Sequence, residues 1–262
     1  HTRRLAVLKD RDTDHDIGFQ INCSYGNGIR LTGDSTDAAL YVECARILAG
    51  RFTEETGVTK SWNFLRNDWR YPVIIDNMMN LEILTKAAEI NGDSSLKEIA
   101  VRHARTTLKN HFREDWSCWH LVDYDPETGA VRSKETVQGY TDESSWARGQ
   151  AWALYGYTMM YRETGMEEFL EAARNIGNMI MDRLPEDGIP YWDFDDPAIP
   201  EALKDASAGA IMASAFIELS TLTGDNRYME TARRQLLTLG SDEYLAKPGE
   251  NAGFLLKHGV GN

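Results

Sequence analysis

Cys23, Cys44 and Cys118 are the only cysteines in this 262-residue chain. Their number is odd and their spacing shows no pairs, which argues against a disulfide framework and fits a reducing compartment. A cytoplasmic location is the corresponding expectation. Basic charge is also short. Lys and Arg number 28 against 41 Asp and Glu, for a formal net charge of −13. That field repels phosphate backbones and anionic headgroups, so neither nucleic acid nor a membrane surface is expected as a partner. No apolar run reaches the roughly 18 residues of a membrane-crossing helix, and no signal peptide is visible. The six histidines do not cluster. HExxH, CxxC, the dinucleotide GxGxxG and the phosphate-binding glycine loop are all missing, so metal, redox and nucleotide chemistry lose their usual support. No cofactor and no metal are expected. Asp12, Asp14 and Asp16 alternate as in a calcium loop, but Ile17 and Cys23 stand where an EF-hand needs Gly and Glu.

What the chain does have is a repeat. Four segments share a glycine stop, a polar turn and a new amphipathic helix. They are TGDSTDAALYVECARILAG from Thr32, NGDSSLKEIAVRHARTTL from Asn91, TGMEEFLEAARNIGNMIM from Thr164 and TGDNRYMETARRQLLTL from Thr223. The stops Gly33, Gly92, Gly165 and Gly224 are spaced by 59, 73 and 59 residues. Each unit reads as one helix ending at the glycine and a second starting just after it. Six such pairs at about 60 residues each would need roughly 360 residues. The expected fold class is all-α, a six-hairpin toroid; an open solenoid is the alternative, but loops as long as 51–71 and 112–141 suit a closed ring better. A single domain over residues 1–262 is expected, with its first and last parts outside the chain.

The stretch 140–165 is the most informative. Asp142 reads as a helix N-cap and Gly165 as the C-terminal stop. Gly149, Ala153, Gly156 and Met160 share one stripe of mostly small residues, which lets a neighbouring helix approach. Arg148 and Trp152 are four apart, so a guanidinium fork and an indole are expected side by side as a binding wall. Upstream, RYPVIIDNMMNLEILTKAAEING reads as a second long helix opening near Pro72, with Asp76 and Asn80 on one face. WHLVDYDPETG reads as an extended run or hairpin closed by a turn, with His120 between Trp119 and Leu121.

Loops rich in Asp, Trp, Tyr, His and Arg around a helical ring suit carbohydrate. Aromatic rings stack on sugars and carboxylates move protons. The residues alone carry the reading to a carbohydrate-active helical toroid.

Five motifs go further: DHDIGF, VIIDNMMNLE, QGYTDESSWARGQAW, DASAGAIMASA and GFLLKHGVGN. Together, and in this order, they resemble the unsaturated glucuronyl hydrolases of glycoside hydrolase family 88. The resemblance implies an (α/α)6 barrel, incomplete here at both termini, acting as a monomer or homodimer. It implies a glycosidase for oligosaccharides left by polysaccharide lyases, which carry a 4,5-unsaturated uronic acid at the non-reducing end. The implied reaction hydrates the double bond. Asp76 of DNMMN would be the acid/base and Asp16 of HDIGF its partner, with His15 beside it. His15, Trp62, Asn77, His120, Gln138, Trp146, Arg148 and Trp152 would bind substrate. A first-turn carboxylate is favoured in its charged form by the helix dipole, and a second carboxylate in an aromatic pocket would oppose that. The alternatives are an unsaturated rhamnogalacturonyl hydrolase on the same barrel, disfavoured by RGQAW in place of RGNGW, a sugar epimerase, and a non-catalytic sugar-binding protein.

Overall fold

The computed structural model describes residues 2–33, 35–63 and 69–261. Residues 64–68, within the loop 51–71, and Asp34 in the first repeat lie outside the described residues. The chain divides into two compact units. One is His1–His111 with Leu121–Lys134, and the other is Phe112–His120 with Glu135–Asn262.

The first unit opens with a 3-10 helix, Thr2–Asp10. Next come α1 (Ile17–Ile21), a π-helical turn (Asn22–Gly26) and α2 (Asn27–Thr32), followed by α3 (Ala38–Ala49). After strand β1 (Tyr71–Ile74) come α4 (Asn77–Asn80), α5 (Glu82–Asn91) and α6 (Ser94–Asn110). Strands β2 (Leu121–Tyr124) and β3 (Val131–Glu135) complete it. α5 packs against both α3 and α6, and α1 packs against α3, α4 and α5. Leu48, Ile83, Leu84, Ala100 and Ala104 are fully buried there.

The second unit holds two helical hairpins. α7 (Ala147–Thr164) pairs with α8 (Glu167–Arg183), α9 (Ala206–Thr223) pairs with α10 (Asn226–Leu239), and α7 also packs on α9. The small stripe expected on α7, Gly149, Ala153, Gly156 and Met160, is buried along its whole length.

The glycine stops behave as the repeat requires. Gly33, Gly92, Gly165 and Gly224 take φ of 69°, 73°, 68° and 72° at the ends of α2, α5, α7 and α9. That left-handed turn reverses the chain at little cost only without a Cβ. The next helix is then capped where an Asp follows. Asp93 accepts from the Ser95 N–H and Asp225 from the Arg227 N–H.

Four expectations are corrected. The helix expected from Pro72 is a strand first, because Val73, Ile74 and Ile75 favour extended backbone and β2 supplies an antiparallel partner with Pro72 opposite Asp123. β1 is an edge strand, where proline is tolerated. The fold is thus mostly helical with a three-stranded sheet. Asp142 does not cap α7. Its carboxylate accepts from the Thr136 N–H, and α7 starts five residues later, at Ala147. Finally, α9 is long and apolar enough to cross a membrane by length and composition, although no such run was expected. Small Ala, Gly and Ser residues give it that character, and it packs between α7 and α10, with Glu218 paired to Arg162 of α7.

Candidate active site

In the first unit, segment 13–15 runs beside segment 61–63. Asp14 bridges Trp62, the His15 N–H donates to the Ser61 carbonyl at 2.7 Å, and the Asn63 N–H donates to the Thr13 carbonyl at 3.3 Å. Arg51 clamps this pair from below. Its guanidinium pairs with Asp12 and donates to the Lys60 carbonyl at 2.8 Å and to Asn63 Oδ1 at 3.2 Å. The clamp seats Trp62 as a buried ring tilted against Trp69, with centroids 6.0 Å apart.

Asp16 occupies the N-cap position of α1 and Asp76 that of α4. Neither carboxylate accepts a cap hydrogen bond from its own helix. Both are therefore placed by backbone geometry without being consumed by capping. Asp16 keeps 47% of its side chain exposed, whereas Asp76 is only 8% exposed.

α1 and α4 meet closely. A Cβ added to Gly18 would stand 2.7 Å from the Asn80 carbonyl oxygen and 2.8 Å from its Cβ. The Phe19 N–H donates to Asn80 Oδ1 at 2.6 Å, and Asn80 Nδ2 reaches back to the Asp76 carbonyl at 3.5 Å. His15 lies buried beside Asp16. Its Nε2 lies 3.6 Å from Asp16 Oδ1. Burial lowers the His15 pKa, while the Asp16 charge and a hydrogen-bonding interaction with the Asn77 side chain oppose that. Asn77 itself is fully buried, donating to the Thr59 carbonyl at 2.6 Å and accepting from Thr59 Oγ1 at 3.1 Å.

The second unit carries the other candidates. His120 is buried, and its Nδ1 accepts from the Val137 and Gln138 N–H groups at 3.1 and 3.2 Å. That leaves the imidazole proton on Nε2. The ring packs on Trp146 at 4.6 Å. Trp146 is the N-cap residue of α7 and almost fully buried. Gln138 is half-buried and joins the His120 contact through its backbone.

Arg148 departs from expectation. Its guanidinium lies over Trp146, 4.6 Å from the ring centroid, whereas a place beside Trp152 was expected. It is ion-paired to fully buried Asp205 at 2.5 Å and donates to the Val260 carbonyl at 2.8 Å. Trp152 is half-buried, edge-on to Tyr155 at 6.1 Å. Asp205, the cap residue of α9, holds the Arg148 guanidinium in its place over Trp146.

Three positioning groups escaped the sequence reading. Gln150 clasps Cys118: the Cys118 N–H donates to Oε1 at 2.9 Å, and Nε2 donates to the Cys118 carbonyl at 3.0 Å. This holds the strip that carries His120 two residues on. Asp193, fully buried, accepts from the Tyr140 N–H, Ser144 Oγ and the Asp195 N–H. It sets the loop between Gln138 and Trp146. Asp205 both caps α9, through the Ser207 N–H, and pairs Arg148. RGQAW, the acidic loop YWDFDD and DASAGAIMASA contain these residues, but their roles were not legible because each partner is distant in sequence.

Three comparisons bear on the arrangement. The family model described as Glycosyl Hydrolase Family 88 matches residues 29–251. An unsaturated glucuronyl hydrolase of Formosa agariphila is 46% identical over 97% of this chain and 64% of its own length. An unsaturated chondroitin disaccharide hydrolase of Streptococcus pyogenes is 33% identical over 97% of this chain and 65% of its own. The crystal structure of an unsaturated glucuronyl hydrolase specific for heparin matches with a TM-score of 0.96 at 47% identity, covering 99% of this chain and 70% of that one. The chain thus spans just under two thirds of the length of these two hydrolase sequences.

Proposed function

The chain belongs to glycosyl hydrolase family 88, and on that premise we propose that the whole protein releases a 4,5-unsaturated uronic acid from lyase-generated glycosaminoglycan oligosaccharides. The six-hairpin (α/α)6 barrel is part of the same proposal, supported by the glycine-stopped helix pairs on α2, α5, α7 and α9. A cytoplasmic site of action rests on composition alone.

The single observation that carries the reaction is the close packing of α1 on α4, through Gly18 and the Phe19 N–H bond to Asn80 Oδ1 at 2.6 Å, which sets the helices capped by Asp16 and Asp76 against each other. In this reading Asp76 delivers a proton to C4 of the unsaturated ring. It then takes one from the water whose oxygen adds at C5. No net proton is lost, and water has added across the double bond. The product is a hemiketal at C5, which opens, and the leaving sugar departs from C1. Asp16 and His15 hold the uronate and water side of the ring. In the second unit, His120, Gln138, Trp146 and Trp152 supply stacking and donors for sugar, and Arg148, its charge paired to Asp205, offers N–H donors. Trp62 is a further stacking wall.

The test is loss of the conjugated alkene's ultraviolet absorbance in lyase-made disaccharides. Heparin products come first, because the heparin-specific hydrolase is 47% identical and the chondroitin disaccharide hydrolase 33%. Unchanged absorbance with heparin, chondroitin, hyaluronan and gellan products would sink the assignment.

A further inference from the structure

His103 lies in the middle of α6, is fully buried, and belongs to none of the motifs that led to the active site. Its Nδ1 accepts from the Thr59 N–H at 2.9 Å and sits 3.1 Å from Thr59 Oγ1. A backbone N–H can only donate, so Nδ1 is an acceptor and the ring proton is on Nε2. That nitrogen has no partner among the described residues, so the ring's polar contact is with Thr59. With Nδ1 already engaged, the Thr59 hydroxyl donates to Asn77 Oδ1 at 3.1 Å, and Asn77 Nδ2 closes the ring of bonds on the Thr59 carbonyl at 2.6 Å. Thr59 and Asn77 are both fully buried. Asn77 is the first residue of α4, and Asp76 is its cap.

The geometry points to His103 as a positioning residue for Asp76, acting through Thr59 and Asn77 to hold the start of α4. A loop residue and a four-residue helix have little rigidity of their own. A buried imidazole on a 17-residue helix supplies it. Without the acceptor, the buried Thr59 N–H would lose its partner, and residue 59 would shift to satisfy it, carrying along the hydroxyl and carbonyl that hold Asn77. The Asn77 amide would then lose its fixed orientation, and the carboxylate next to it would lose its aim. This rests on the reading of Asp76 as the acid/base.

Two variants of the full-length protein separate acceptor from volume. His103→Asn keeps an acceptor near the place of Nδ1, and His103→Leu keeps the bulk and removes it. His103→Leu should lower kcat about tenfold or more while KM moves less than about twofold, since misaimed chemistry costs rate more than binding. His103→Asn should recover most of the rate. Backbone amide exchange in peptides covering 57–61 and 75–80 should quicken in His103→Leu and stay near wild type in His103→Asn. If His103→Leu does not fold, Thr59→Val breaks the same relay while keeping the backbone N–H, and should give the same pattern. A folded His103→Leu or Thr59→Val with wild-type kcat overturns the proposal, and so does unchanged exchange in both peptides. If the wild-type protein turns over no unsaturated disaccharide, the functional reading fails instead, and the exchange comparison alone decides whether His103 holds the start of α4.

Discussion

Arg148 and Asp205 form an ion pair at 2.5 Å whose carboxylate is fully buried, at the point where α9 is capped. The guanidinium offered to substrate by the sequence is therefore held by the protein first. Asp205→Asn keeps the cap acceptor and removes the charge. It should destabilise the fold by about 2 to 4 kcal/mol, because an arginine mostly withdrawn from water loses its counter-charge. Urea unfolding measures it. A change below about 0.5 kcal/mol would show that the pair contributes little.

Asp76→Asn should separate stability from chemistry. The carboxylate makes no cap bond to α4, so the melting temperature should stay close to wild type. Alkene hydration should fall by roughly 100- to 10,000-fold, the usual worth of a general acid/base. Continuous absorbance of an unsaturated disaccharide reads this, and a retained full rate would remove Asp76 from the mechanism.

Gln150 holds both backbone groups of Cys118 in a fully buried place. Gln150→Leu removes the side-chain amide that bonds the Cys118 N–H and carbonyl, at about 1 to 3 kcal/mol for each bond. We expect a loss of about 2 to 6 kcal/mol in stability and a raised KM as the His120 strip loosens. Gln150→Asn, one methylene shorter, cannot reach both groups and should recover little. Steady-state kinetics beside urea unfolding tests both statements.

Acid should unfold the protein through its buried histidines. Burial pushes His103 down to about 3 and His111 down to about 4, with the neighbouring His111 adding to the effect on His103. In the unfolded chain both titrate near 6.5. Below that pH the unfolded state binds protons that the folded state refuses. Stability is therefore full above about 6.5 and falls as the pH drops toward 4, approaching about 1.4 kcal/mol per pH unit for each group. His111→Gln should flatten the fall between pH 6.5 and 5, where carboxylates contribute little. Urea midpoints across that interval that match those of wild type would contradict this.

Helix pairing was legible because its signals are local. Gly92, Gly165 and Gly224 end their helices wherever they stand, since a left-handed φ depends on one residue and its neighbours. The turn at 125–129 was legible for the same reason: Asp125 accepts from the Glu127 and Thr128 N–H groups, and Gly129 takes φ of 70°. Family membership could be read from long motifs in order, which need no coordinates. What the chain could not disclose was anything settled by a distant partner. Val73 and Ile74 became strand because β2, some fifty residues on, offered a ladder. Arg148 turned to Trp146 because Asp205 lay within reach. Asp142 lost its place as a cap to the Thr136 amide. His103 carried no local signal, because its partner Thr59 stands 44 residues away in the chain. The sequence by itself determined where helices stop and to which family the chain belongs. The tertiary structure decided which neighbour each polar group would satisfy, because a buried donor or acceptor takes the partner that packing brings to it, whatever its distance along the chain.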